Sequence, residues 1–250
     1  MSQNLLILGG TTEASALARA LADRGVRATL SYAGRVAAPR AQPVATRTGG
    51  FGGAEGLAAY LRVERISHLI DATHPFAARI SANAVAAARI AGTPLVALVR
   101  PPWTPGPGDR WTSAPDVAAA AMALAGPPVR VFLALGRLHL AAFASQPQHH
   151  YLLRLVDPPE APPLPNVTVI VARGPFNAAA DTALLHAHAI ERVVAKNAGG
   201  AGAQAKLEAA RALGLPVMLI DRPRALVRAE VATVADVLGW LGHAQADRGV

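Results

Sequence analysis

Asn4-Leu5-Leu6-Ile7-Leu8-Gly9-Gly10-Thr11-Thr12-Glu13-Ala14 runs from four successive aliphatic residues through two glycines and two threonines into an Ala- and Leu-rich segment of helical period. An apolar run this short, closed by Gly, reads as a buried strand rather than a helix. Gly9 and Gly10 supply a tight turn, Thr11 or Thr12 caps the helix that follows over Glu13 to Asp23, and the unit is strand, turn, helix. A dinucleotide-binding fold carries its G-x-G-x-x-G at this first turn, where backbone N–H groups approach a phosphate on the positive end of the helix. Only two adjacent glycines are present here, with Ala14 where the last would stand. Gly9, Gly10, Thr11 and Thr12 are therefore candidate cofactor contacts, and a simple tight turn is the alternative reading of the same residues.

The same alternation continues. Strands at Arg27 to Ser31, His68 to Ala72 and Pro94 to Val99 are interleaved with helices at Ala54 to Leu61 and Ala77 to Ile90. The run Arg100 to Arg110 (RPPWTPGPGDR) then holds four Pro and two Gly, a composition that continues neither helix nor strand. A second series follows: helices at Val117 to Ala125, Leu138 to Ala144, Ala178 to His188, Ala203 to Leu213 and Val234 to Gly242, and strands at Val129 to Leu135, Tyr151 to Val156, Val167 to Ala172, Arg192 to Ala195 and Val217 to Ile220. Apolar strands between helices predict an α/β protein with mainly parallel sheets covered on both faces. Two small doubly wound Rossmann-like domains are expected, 1–112 and 113–250, with a cleft between them. One continuous sheet of about ten strands is the competing arrangement.

The strand end Thr29-Leu30-Ser31-Tyr32-Ala33-Gly34-Arg35 bears on the cofactor. NAD binding calls for an acid near this point to hold the ribose 2′-OH, whereas NADP needs neutral and basic groups around a 2′-phosphate. No acid is present, and Ser31 and Arg35 stand where the phosphate is expected, so NADPH is favoured over NADH. In Arg47-Thr48-Gly49-Gly50-Phe51-Gly52-Gly53, so much glycine suits a backbone that a ligand approaches closely, and Gly50, Phe51 and Gly52 join the cofactor candidates. Asp71-Ala72-Thr73-His74-Pro75-Phe76 closes another strand, with Pro75 suited to a first helical turn. The nicotinamide is expected there. Thr73 and His74 are the catalytic and cofactor-contacting candidates, and a His at the positive end of a helix dipole is expected to stay neutral.

In the second half, strand ends carry Gly136-Arg137, Arg173-Gly174-Pro175, Lys196-Asn197 and Asp221-Arg222-Pro223. Carboxyl ends of an open α/β sheet face one crevice, so Arg137, Arg173, Lys196 and Asn197 are candidate contacts for an acidic substrate. Solvated loop charges are the ordinary alternative. His186, His188, His149 and His150 lack metal-ligand spacing or carboxylate neighbours, so no metal is expected.

Composition sets further bounds. The 250 residues hold 24 Lys plus Arg against 16 Asp plus Glu, a net +8, with 52% hydrophobic and 16% charged residues, far from a disordered balance. The absence of Cys excludes disulfides, iron–sulfur clusters and thiol nucleophiles and fits the cytoplasm. No apolar stretch reaches the roughly 20 residues of a membrane span. Single, scattered Arg residues and 4% aromatics argue against nucleic acid and leave an acidic small molecule as the expected partner.

Taken jointly, Leu8-Gly9-Gly10-Thr11 with Glu13-Ala14, Gly49 to Gly53, Asp71 to Phe76, Arg173-Gly174-Pro175-Phe176 and Lys196-Asn197-Ala198-Gly199-Gly200 resemble the precorrin-6A reductase family of cobalamin biosynthesis. The resemblance spans nearly the whole chain. It implies NADPH-dependent reduction of one double bond of the acidic tetrapyrrole precorrin-6A to its dihydro form, with cofactor and substrate between two Rossmann-like domains. Ala198 stands where that family often has Ser. A non-catalytic NADP-binding or sensing module of the same fold is the alternative.

Overall fold

The computed structural model describes residues 3–34, 41–224 and 226–246. It forms two compact units, Met1–Pro101 with Arg224–Val250, and Pro102–Pro223.

The first unit begins β1 (Asn4–Leu8), α1 (Thr12–Ala22), β2 (Arg27–Tyr32), β3 (Ala45–Thr48), α2 (Gly53–Val63), β4 (His68–Asp71), α3 (Ala78–Ala91) and β5 (Leu95–Leu98). All five residues of β1 are buried, because helices cover both faces of the sheet. Strand alternation sends Leu5 and Ile7 to one face, where the α1 stripe Ala14, Leu17, Ala18 and Leu21 meets them. Leu6 and Leu8 point to the other face, against Leu57 and Leu61 of α2 and Ala84 and Ala87 of α3. Each fully buried Leu or Ile contributes about 1.5–3 kcal/mol.

The second unit holds β6 (Arg110–Ala114), α4 (Val117–Met122), β7 (Arg130–Ala134), a 3-10 segment (Arg137–Ser145), β8 (His150–Leu155), β9 (Val167–Val171), α5 (Ala178–Ala187), β10 (Arg192–Lys196), α6 (Ala205–Ala212) and β11 (Pro216–Ile220). Its core joins Phe132, Leu152, Val193 and Leu219 of the sheet to Leu185 and Leu207 of the helices. The chain then returns to the first unit with β12 (Ala229–Val231) and α7 (Val234–Ala246), where Val237 and Leu241 enter the α1 core.

Among the described residues both sheets have six strands, ordered β12-β5-β4-β1-β2-β3 and β6-β11-β10-β7-β8-β9, and every pairing is parallel. These are two copies of the doubly wound order 3-2-1-4-5-6. In each copy the last position is filled out of turn: β6, which follows β5, pairs with β11, and β12, which follows β11, pairs with β5. The exchange corrects the expected boundary at 112/113. The first unit ends at Pro101, because Trp103 packs into the second core and Arg110–Ala114 is a strand there. Residues 224–250, expected in the second domain, belong to the first unit through β12 and α7.

The short helix expected at Leu138 to Ala144 is present as a 3-10 helix over Arg137–Ser145. One local expectation changes. The α3 helix starts at Ala78, so His74 and Pro75 lie in a turn before it rather than at its first turn.

Candidate active site

The turns singled out in the first unit follow β1, β2, β3 and β4. These strands are neighbours in one parallel sheet, so the turns share its carboxyl edge. At the first turn a Cβ on Gly9 would sit 2.4 Å from Leu30 Cδ1 and 3.2 Å from Ala14 Cβ, so a side chain there would force the buried Leu30 to shift. Gly10 has φ +116°, a conformation L residues rarely adopt. Thr11 Oγ1 accepts from Ala14 N at 3.1 Å as the α1 cap and donates to Ala72 O at 2.8 Å, joining this turn to the end of β4. Thr12 Oγ1 donates to Glu13 Oε2 at 3.1 Å, and Glu13 is ion-paired with Arg100.

At the end of β2, Ser31 is buried and lies opposite Arg47 of β3. Arg47 Nη1 donates to Ser31 Oγ at 2.8 Å and to Gly49 O at 3.1 Å, and Nη2 donates to Gly50 O at 3.2 Å. Its guanidinium carbon lies 3.8 Å from the Phe51 ring centroid and 5.2 Å from that of Tyr60. Burial, then Glu64, raise the Tyr60 pKa above the usual phenol value, against the opposing charge of Arg47. Arg35 lies outside the described residues. Gly52 is left-handed, φ +81°, and opens α2.

After β4, Thr73 N and Oγ1 both donate to Asp71 Oδ1, at 3.1 and 2.6 Å. The other oxygen of this buried carboxylate is held by Arg228 Nη1, whose Nε also reaches Glu230. His74 Nδ1 accepts from Phe76 N at 3.2 Å, which places the proton of a neutral ring on Nε2.

In the second unit Arg137 and Arg173 follow β7 and β9, Lys196 ends β10 and Asn197 follows it, all on the carboxyl edge of that sheet. Arg137 Nη2 donates to Asp157 O and Pro158 O, pinning the Pro-rich loop after β8. Asn197 pairs with a backbone segment: its Oδ1 accepts from Trp103 N at 2.8 Å and its Nδ2 donates to Trp103 O at 3.0 Å. Arg222 binds the carbonyls of Asn197 and Ala198 at 2.9 and 3.0 Å. The turn bearing Arg173, with its cis Gly174-Pro175 bond, ends at Phe176, whose ring centroid lies 3.6 Å from the guanidinium carbon of Arg154. Arg154 is in turn fixed on the buried Asp181 through both nitrogens. Leu138, Val156 and Val171, beside the ends of β7, β8 and β9, are 72%, 43% and 51% exposed.

Sequence reading missed Arg47, Arg228 and the Arg154–Asp181 pair. Arg47 carried one usable signal, its place just before the glycine run. The others act through partners far along the chain. Among the described residues no helix is long and apolar enough to cross a membrane, and no group of His, Asp and Glu could hold a metal ion.

Residues 4–242 match the family described as precorrin-6x reductase CbiJ/CobK. The precorrin-6A reductase of Rhodobacter capsulatus is 61% identical over 248 residues, 98% of this chain and 99% of that one. A precorrin-6A reductase of Rhodococcus erythropolis is 49% identical over 240 residues, 95% and 97% of the two chains. A solved structure named CobK precorrin-6A reductase matches with TM-score 0.94 at 61% identity, covering 99% of this chain and 98% of its own.

Proposed function

The chain belongs to the precorrin-6x reductase family, and from that membership we propose the reaction in full: one double bond of the tetrapyrrole precorrin-6A is reduced to give precorrin-6B, in cobalamin biosynthesis, with NADPH rather than NADH as the donor. The near-full-length identity to the Rhodobacter capsulatus reductase carries the reading. Bound NADPH supplies the hydride, and a proton completes the addition.

The first unit fits the cofactor. The close approach at Gly9 and the left-handed turn at Gly10 leave backbone exposed at the start of α1, which suits a pyrophosphate held by Gly9, Gly10, Thr11 and Thr12. Ser31 and Arg35 take the phosphorylated ribose, with Gly50, Phe51 and Gly52 beside it. Thr73 and His74 face the nicotinamide. His74 Nδ1 accepts from Phe76 N, which orients the ring, and Thr73 is fixed by Asp71. Both act by setting which face of the nicotinamide is presented, since positioning supplies much of the rate of a hydride transfer.

The second unit takes the pigment. An acidic macrocycle needs cations at its rim and an apolar surface beneath, and exposed Leu138, Val156 and Val171 stand near Arg137 and Arg173 along the same strand ends. Lys196 is the third cation, and Asn197 shapes the loop that presents it. A cytoplasmic setting fits a chain without cysteine.

The experiment is direct. Purified protein is mixed with precorrin-6A and either NADPH or NADH, and loss of reduced-nicotinamide absorbance is followed with the change in the pigment spectrum. Turnover with NADPH well ahead of NADH is expected. Nucleotide binding without turnover would return the protein to a sensing module.

A further inference from the structure

The guanidinium of Arg47 carries a positive charge with no carboxylate set against it among the described residues. Its three partners are neutral: the Ser31 hydroxyl and the carbonyls of Gly49 and Gly50. They use three of its five N–H groups, leaving one on Nε and one on Nη2 without a partner among the described residues. Ser31 Oγ accepts from Arg47, so its own hydrogen remains for another acceptor. Stacking on Phe51 at 3.8 Å, within an edge-to-face pair formed by Phe51 and Tyr60, fixes the plane of the guanidinium. The result is a preorganised set of donors, positive and half-buried, at the adjoining ends of β2 and β3.

A ligand for this set must bring oxygen acceptors and negative charge. In the 3-2-1-4-5-6 sheet order, the end of β2 is where a dinucleotide's adenosine ribose is recognised. Residues Arg27 to Gly34 and Ala45 to Gly50 contain no Asp or Glu to accept from a free 2′-OH. We propose that Arg47, together with Ser31, binds the ribose 2′-phosphate and is the residue that makes the enzyme prefer NADPH to NADH. The inference rests on the cofactor reading above and goes beyond it, because Arg47 enters from a separate strand. Arg suits this role better than Lys, because its flat fork matches phosphate oxygens and a point charge does not.

The test measures binding of NADPH, NADH, adenosine 2′,5′-bisphosphate and AMP to wild-type, Arg47→Gln, Arg47→Lys and Arg35→Ala proteins. Arg47→Gln should weaken NADPH and the bisphosphate by about ten- to a hundredfold, the range for a charge-assisted hydrogen bond. NADH and AMP should change by less than about threefold, the scale of a weak surface contact. Arg47→Lys should fall between, keeping a preference for the bisphosphate over AMP, and this arm serves should the Gln variant fail to fold. Equal loss for all four ligands would overturn the proposal and make Arg47 a brace for the glycine loop. Loss confined to Arg35→Ala would transfer the role to Arg35. A wild-type protein indifferent to the 2′-phosphate would overturn the cofactor reading itself, and Arg47 with it.

Discussion

Arg228 closes on the buried carboxylate of Asp71 from 157 positions away in the chain. The pair fastens the segment entering β12 to the end of β4, and the second oxygen of Asp71 holds Thr73. One ion pair thus serves both the exchanged edge strand and a turn of the candidate active site.

Removing one member of a buried pair leaves the other charge uncompensated, at a cost of about 3–5 kcal/mol. Arg228→Met should destabilise the protein by an amount in that range, read as a lower denaturant midpoint. Adding Asp71→Asn should recover part of the loss, since the carboxylate no longer needs neutralising. A Met variant within about 1 kcal/mol of wild type, the scale of a surface ion pair, would show that the pair is not a structural tie.

Asn197 offers a second test. Its amide both accepts from and donates to the Trp103 backbone, so Asn197→Asp keeps the acceptor and loses the donor. Trp103 O is then left facing a carboxylate. Asp at this position should cost about 2 kcal/mol of stability, within the range for an unsatisfied polar group. The change should be followed by chemical denaturation and by Trp fluorescence. An Asp variant as stable as wild type would show that the amide pairing contributes little.

The acid limb of stability should carry a signature of His150. Its ring Nε2 pairs with Thr168 Oγ1 at 2.9 Å, and burial first, then Arg130 and His188, push its pKa below the ordinary value. The fold therefore favours the neutral ring while the unfolded chain binds a proton near pH about 6.5. The contribution is fully present above that pH and is lost as pH falls through the lowered folded value. His150→Gln cannot titrate, so its Tm should fall less than that of wild type between neutral pH and about pH 5. Parallel Tm curves would exclude His150 as a source of acid sensitivity.

The strands missing from the sequence reading are β3, β6 and β12, and all three are sheet edges. Ala45–Thr48 is largely exposed and polar, Arg110–Ala114 buries only Ala114, and Ala229–Val231 has no buried residue. Central strands announce themselves because helices on both faces demand continuous apolar residues. An edge strand half open to water carries no such mark. The domain boundary failed for the same reason, since the edges are the strands the two sheets exchange. The glycine turns and strand-end cations were legible because they are local. Arg228 and Arg154 were not, because their roles arise only when the fold brings together elements distant in the chain, and the role of Arg47 rests on the pairing of β3 with β2.

Arg137 and Lys196 sit at the ends of neighbouring strands β7 and β10, and the proposed function sets them against carboxylates on the rim of the pigment. Arg137 is exposed, so its contribution is that of a solvent-screened pair, up to about 1 kcal/mol, or about fivefold in affinity. Arg137→Ala and Lys196→Ala should each raise the KM for precorrin-6A by roughly two- to fivefold and leave NADPH affinity unchanged. Arg137 also pins Asp157 O and Pro158 O, so a Gln variant that can still donate to those carbonyls separates lost charge from a loosened loop. Rising salt should weaken pigment capture by wild type more than by the variants, because screening removes an attraction the variants already lack. Should the Ala variants leave pigment affinity intact and impair NADPH binding alone, both cations belong to the cofactor site instead.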